Sequence, residues 1–151
     1  MYKIKTIMPD LLHPIPSFQE PKRPYRFFVV FPDYCNIESY VVQRIKMPKL
    51  KPIKKGKVVY YAWTNMEIRL IEIIGRSASA VLIEAFANKP VSQLFTFEIH
   101  HLDPCGLMID KWTVTSDILN VDFGNLDYAD DSLLTTKLKL AVSSVTQGIK
   151  N

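Results

Sequence analysis

The sequence predicts a mainly β fold, an antiparallel β-sandwich or barrel carrying one short α-helix. Two observations predict it. Runs rich in β-branched and aromatic residues, several with apolar side chains at every second position, recur from Tyr25 onward. Only one segment shows helical spacing instead.

Taken in order, residues 1–24 hold Pro9, Pro14, Pro16, Pro21 and Pro24. Each proline removes a backbone donor and biases its predecessor to extended backbone, so this segment reads as an extended arm. The runs YRFFVVF and IESYVVQRIKM flank the turn-prone Pro32-Asp33 and suggest a β-hairpin. Between Lys46 and Lys57 come six lysines, two prolines and Gly56, which is loop chemistry. The run from Val58 to Ile74 is too long for one ordinary strand. Met66, Ile68 and Leu70 alternate with Glu67 and Arg69, and a bend or hairpin is expected near Thr64-Asn65.

The helix spans Ser77 to Asn88, with Ala78, Val81, Leu82, Ala85 and Phe86 on one face, Ser77 able to cap its start, and Asn88 with Pro90 ending it. Three further strand signals follow, separated by DPCG and GNLDYADD. Phe95, Phe97 and Ile99 should oppose Thr96, Glu98 and His100, and Leu134, Thr136, Leu138 and Leu140 should oppose Thr135, Lys137 and Lys139. The predicted division is an arm over 1–24, a β domain over 25–144 and a short tail over 145–151. No repeat of solenoid or propeller period is visible.

A chain of 151 residues, 48% hydrophobic, can bury about two-thirds of its unfolded surface without a disulfide or metal staple. The net charge of +4 permits a nucleic-acid or acidic partner but does not demand one. Cys35 and Cys105 have no C-x-x-C spacing, so neither a zinc ribbon nor a redox pair is indicated. No secretory leader and no stretch of 18 apolar residues is evident, so a soluble protein without a membrane span is expected.

Four stretches bear on chemistry. Asp122-Phe123-Gly124 spells the magnesium-holding tripeptide of protein kinases, but no glycine-rich phosphate loop or catalytic-loop Asp and Asn accompanies it. A strand ending at Gly124-Asn125 explains the letters better. In HHLDPC, His100 and His101 face opposite sides of a strand and the spacing fits no zinc pattern. The carboxylates Asp122, Asp127, Asp130 and Asp131 lack the ligand ladder of a calcium loop. Tyr60, Tyr61 and Trp63 beside the lysines resemble a single-strand-binding face, which keeps a small nucleic-acid-binding β domain as an alternative. No enzyme, cofactor or metal site is expected.

One larger pattern remains. Residues 95 to 142 carry a strand, the turn Leu102-Asp103-Pro104-Cys105-Gly106, and Ile109-Asp110-Lys111-Trp112 on an apolar strand. Ile118, Asp122-Phe123-Gly124, Leu126-Asp127-Tyr128 and a closing strand follow. In this order the chain resembles the tail tube protein family of contractile-tailed bacteriophages, relatives of type VI secretion tube proteins. The front half fits more loosely, with Pro24-Tyr25-Arg26-Phe27 where such proteins begin their first strand.

The resemblance implies a structural virion protein, assembled in the host cytoplasm, whose hexameric rings stack into a hollow tube inside a contractile tail. Strands of neighbouring subunits would join edge to edge into a large inner barrel, which would resolve the edge-strand problem of long strands. The implied partners are copies of itself, the tail sheath, the baseplate tube-initiator and tape-measure proteins, and genomic DNA passing through the lumen without sequence-specific binding. The long proline-rich arm departs from a plain tube subunit and raises the alternative of a tube initiator with the same fold. Under this resemblance Lys46, Lys49, Lys51, Lys54, Lys55 and Lys57 are expected to meet Asp127, Asp130 and Asp131 of an adjacent subunit or ring. Asp103, Pro104, Gly106, Trp112, Asp122, Phe123, Gly124, Leu126, Asp127 and Tyr128 carry the family-like structural motif.

Overall fold

Period-two alternation builds the main sheet of the computed structural model, which describes residues 21–75, 77–87 and 94–149. Eight strands and one helix occur among them: β1 (Phe27–Val30), β2 (Val42–Lys46), β3 (Leu50–Lys55), β4 (Val58–Trp63), β5 (Met66–Ile71), α1 (Ala78–Phe86), β6 (Phe95–Leu102), β7 (Met108–Asp122) and β8 (Thr135–Ile149). Six strands form one antiparallel sheet in the order β1-β6-β7-β8-β5-β2, nearly closed into a barrel, while β3 and β4 form a separate two-stranded sheet.

The inward residues are those the alternation selects. Met66, Ile68 and Leu70 of β5, Phe95, Phe97 and Ile99 of β6, Val114 of β7, and Leu138 and Leu140 of β8 are buried, joined by Val29 of β1. Register sets Ile68 opposite Leu138 and Met66 opposite Leu140, so each apolar side chain meets another across the ladder. Thr136 and Ser116 are buried too; the Ser116 hydroxyl donates to the carbonyl of Phe95 at 2.9 Å, which satisfies it.

α1 forms where the period changes from two to 3.6. Ser77 caps it, accepting from the amide of Ala80 at 3.3 Å, and Ala78 and Leu82 are buried against the sheet. Phe86 meets Phe95 edge-on with ring centroids 6.4 Å apart, and Tyr34 at 6.1 Å. The expected C-terminal stop at Asn88 and Pro90, like residues 1–20 of the arm, lies outside the described residues.

Glu72 fastens this helix to the sheet. Its Oε1 accepts from the Ser79 amide and the Thr136 hydroxyl, each at 2.8 Å, and its Oε2 accepts from the Ser77 hydroxyl at 2.8 Å. Burial pushes its pKa up, but these bonds to the ionised form outweigh it and hold the carboxyl below its ordinary value. A depressed carboxylate pKa adds stability above the ordinary glutamate pKa, and that stability is lost as pH falls from about 4 through the depressed value. Glu72→Gln is therefore expected to be less stable than the wild type at neutral pH. The gap should close in acid, as followed by urea melts between neutral pH and about pH 3.

Three expectations are corrected. The run around Phe27–Val30 does not form a hairpin with Val42–Lys46: β1 pairs with β6 and β2 with β5, at opposite edges of the sheet. The intervening residues spend themselves on a 3-10 turn at Ser39–Val41 and on burying Cys35 rather than on a tight turn. The lysine-rich stretch is not a loop, because Leu50–Lys55 is a strand paired throughout with β4. A separate tail from residue 145 is replaced, over 145–149, by the end of β8, where Ile149 still pairs with Asp110. The break expected near Thr64-Asn65 is present, separating β4 from β5.

Candidate assembly interface

The β3–β4 hairpin is built by equal runs either side of one glycine. Lys55 pairs with Val58 across a two-residue turn in which Gly56 takes φ 62°, the left-handed conformation that short hairpin turns require. At the base, the Thr64 amide donates to the Lys49 carbonyl at 2.8 Å and the Lys49 amide to the Thr64 hydroxyl at 2.7 Å. Lys51, Ile53, Lys55, Val58 and Tyr60 share one face, and Leu50, Pro52, Lys54, Val59 and Tyr61 the other. Lys55 Nζ sits 5.8 Å from the centre of the Tyr60 ring, a cation–π distance.

Most of both faces is uncovered, with only Ala62 and Trp63 at the base part-buried. Every residue of β3 is exposed, and on β4 Val58 (63% exposed), Val59 (54%) and Tyr61 (65%) are open to solvent. An isolated two-stranded hairpin is marginal in water, and exposed apolar surface of this kind makes the hairpin a candidate interaction site. From Lys46 to Trp63 the chain carries six lysines and no carboxylate.

The opposite charge gathers elsewhere. Between Lys111 and Lys137 lie five aspartates and no basic residue. The loop joining β7 to β8 is shaped by them: Asp122 Oδ1 accepts from the Gly124 amide, Asp127 Oδ1 from the Ala129 amide and Asp130 Oδ1 from the Ser132 amide, each at 2.9 Å. The Ser132 hydroxyl adds a bond to Asp130 at 2.6 Å, and these bonds hold the Asp130 carboxyl below its ordinary pKa. Each cap uses one oxygen, so the charge stays available to a partner. Leu126 (89% exposed) and Tyr128 (111%) stand outward in the same loop.

Gly124 is the conformational requirement of this loop. It has φ 80°, and a Cβ there would lie 3.0 Å from the Thr135 carbonyl oxygen. Gly124→Ala is expected to destabilise by about 1–3 kcal/mol, read as a lowered denaturation midpoint.

Hairpin and acidic loop join the sheet at opposite ends of β5. The hairpin leads through Thr64-Asn65 into Met66, whereas Ile71, the last residue of β5, pairs with Thr135, the first residue after the loop. A basic projection at one end and an acidic one at the other suit head-to-tail contact between copies, since each end complements the other and not itself.

The remaining motif residues are architectural. Asp103 Oδ1 accepts from the amides of Cys105 and Leu107, each at 2.9 Å, and Gly106 takes φ 85°, so Asp103-Pro104-Cys105-Gly106 forms the β6–β7 turn. Trp112 lies half-buried on β7 beside the core, opposite Ile99. Phe123, just past β7, is 42% exposed. Among the described residues no group of three or more His, Cys, Asp or Glu is placed to hold a metal ion. Both cysteines are free thiols, and burial pushes Cys35 up to about 11. Among the described residues no helix is long and apolar enough to cross a membrane.

Sequence reasoning missed one cluster. His101 and Asp110 face each other across β6 and β7, His101 Nδ1 lies 2.5 Å from Asp110 Oδ1, and Lys22 Nζ pairs with Asp110 Oδ2. Asp110 is buried, which pushes its pKa up, yet the bonds and charges of Lys22 and His101 win and hold it below its ordinary value. Its period-two position on a core-facing strand was the available signal.

No protein-family model matches the chain, and no curated protein matches it in sequence. Solved structures do match in shape. A structure of the PVC sheath/tube terminator of an extracellular contractile injection system, in the extended state, matches with a TM-score of 0.63 at 15% identity, covering 85% of this chain and 97% of that one. The PVC sheath-tube complex matches at 0.62 and 14%, covering 89% and 95%. The anti-feeding prophage tube-terminating cap matches at 0.61 and 16%, covering 87% and 93%. The fold is therefore one shared with components of contractile injection systems.

Proposed function

We propose that this chain is a structural component of a contractile tail, joining copies of itself into rings that stack as an inner tube. The observation that carries the reading is the β3–β4 hairpin, a basic and apolar projection in which every residue of β3 and the first four of β4 are exposed. The shared fold supports it, because the matched structures include a sheath-tube complex. In the assembly the hairpin pairs with strand edges of a neighbour, and its lysines face the acidic β7–β8 loop of an adjacent copy. The sheath and baseplate are the further partners, and genomic DNA is the cargo if the particle is a phage tail.

A second reading has its own support. Matched structures also include a tube terminator and a terminating cap, so the same fold serves at a tube's end. An end component, initiator or terminator, forms one ring and does not elongate.

Negative-stain microscopy of the purified full chain tests both. Stacked rings or tubes are expected; single rings that never elongate select the end component. A strict monomer that binds oligonucleotides with steep salt dependence overturns assembly in favour of nucleic-acid binding.

A further inference from the structure

The strand β8 is only half partnered. Among the described residues it forms a ladder with β7 along Lys137–Ile149 but with β5 only along Thr135–Leu140, so from Ala141 onward its other edge has no ladder. A bulge falls at Ser143, and beyond it the register with β7 runs unbroken over the six residues Ser144–Ile149.

A free edge presents unpaired amides and carbonyls, and proteins guard such edges with charge, proline or a covering segment. The other free edges of this chain are guarded. On β1 the Val29 amide donates to the Ser39 hydroxyl at 2.9 Å, β2 carries Arg44 and Lys46, and β3 carries three lysines and Pro52. Two edges lack such protection: neither β4 nor Ser144–Ile149 holds any Asp, Glu, Lys, Arg or Pro.

We propose that these two edges pair between copies, the free edge of β4 in one chain adding to Ser144–Ile149 of β8 in the next. This joining rests on the ring assembly proposed above and adds which strands meet. Their lengths agree, since β4 also has six residues. Val58, Val59 and Tyr61 of β4 and Ile149 of β8, 74% exposed, stand open in the single chain and would cover one another across the new ladder. β4 approaches β8 of its own chain without forming a ladder with it, so the edge stays open to a second copy. Because the two edges are different surfaces the contact is head-to-tail, the kind that closes into rings. It uses the β4 side of the hairpin, which leaves Lys54 and Lys55 on β3 and Lys57 in the turn free to face an acidic loop.

Ser144→Lys with Thr146→Lys in the full chain puts two charges on the β8 edge at exposed positions; Thr146 stands opposite Thr113, on the side away from the buried Val114. The concentration needed for ring formation, followed by sedimentation, is expected to rise at least ~10-fold with an unchanged circular dichroism spectrum. Unchanged assembly overturns the β4–β8 pairing and leaves the tube reading standing. In parallel, Tyr61 is replaced by the photo-cross-linking residue p-benzoylphenylalanine, and assemblies mixed from isotopically labelled and unlabelled chains are irradiated and mapped by mass spectrometry. Cross-links between chains, from residue 61 to the stretch 144–149, are expected. Cross-links within one chain, to β1 or β2 of another chain, or none at all overturn the pairing. Should the lysine variant prove unfolded, the cross-link map alone decides. A wild-type chain that never assembles overturns the tube reading, and this pairing with it.

Discussion

Replacing Lys54, Lys55 and Lys57 together by glutamate is expected to abolish assembly while leaving the monomer folded. The three sit at the tip of the hairpin, all exposed, and Gly56 rather than any lysine sets the turn. Their exchange turns three positive charges into three negative ones, and in the proposed assembly these would face an acidic loop that already carries Asp127, Asp130 and Asp131. Surface charges contribute little to the stability of one subunit but set which faces may approach. Like charges brought together cost several kcal/mol, which raises the concentration needed for assembly by at least ~100-fold. Microscopy should show no rings or tubes, with an unchanged circular dichroism spectrum. Normal tubes would show that the hairpin tip does not make this contact. Wild-type assembly should also weaken with added salt, since exposed pairs are screened over about 8–10 Å at ordinary ionic strength.

What the sequence disclosed followed from how local its causes are. Burial of Phe95, Phe97 and Ile99, or of Met66, Ile68 and Leu70, is written in the period-two pattern, because one face of each strand must leave water. The cap at Ser77 and the turn at Asp103–Gly106 were legible for the same reason, each being closed by groups within a few residues. Partners distant in the chain were not. That β1 would seek β6 rather than β2 depends on how the whole sheet curls, and no residue between Pro32 and Tyr40 encodes it. The lysine stretch misled because propensity disfavours Lys and Pro in strands, yet an edge hairpin tolerates both: Pro52 sits in β3, and charge on an edge deters wrong pairing. The acidic loop was visible as composition, but its position at the far end of β5 from the hairpin emerges only from the register of β5 with β8.

Phe97→Ala is expected to be the most damaging single change to the fold, costing about 3–5 kcal/mol. Phe97 is 1% exposed on β6, in the same buried cluster as Val29 and Ile99, and its ring packs on Phe95 at a centroid distance of 5.5 Å. Its ladder partner is Val114, which is also fully buried, so truncation opens a void where no side chain can swing in from solvent. The loss approaches the whole stability of a small domain, about 5–15 kcal/mol. A urea melt should show the midpoint fall steeply with the slope unchanged, because the surface exposed on unfolding stays nearly the same. Thr96→Ala, one residue away but outward-facing, is the control: a change within about 0.5 kcal/mol is expected. Comparable losses at both positions would mean that β6 does not present its Phe95–Ile99 face to the core. The barrel on which the hairpin and the acidic loop are mounted would then have to be redrawn.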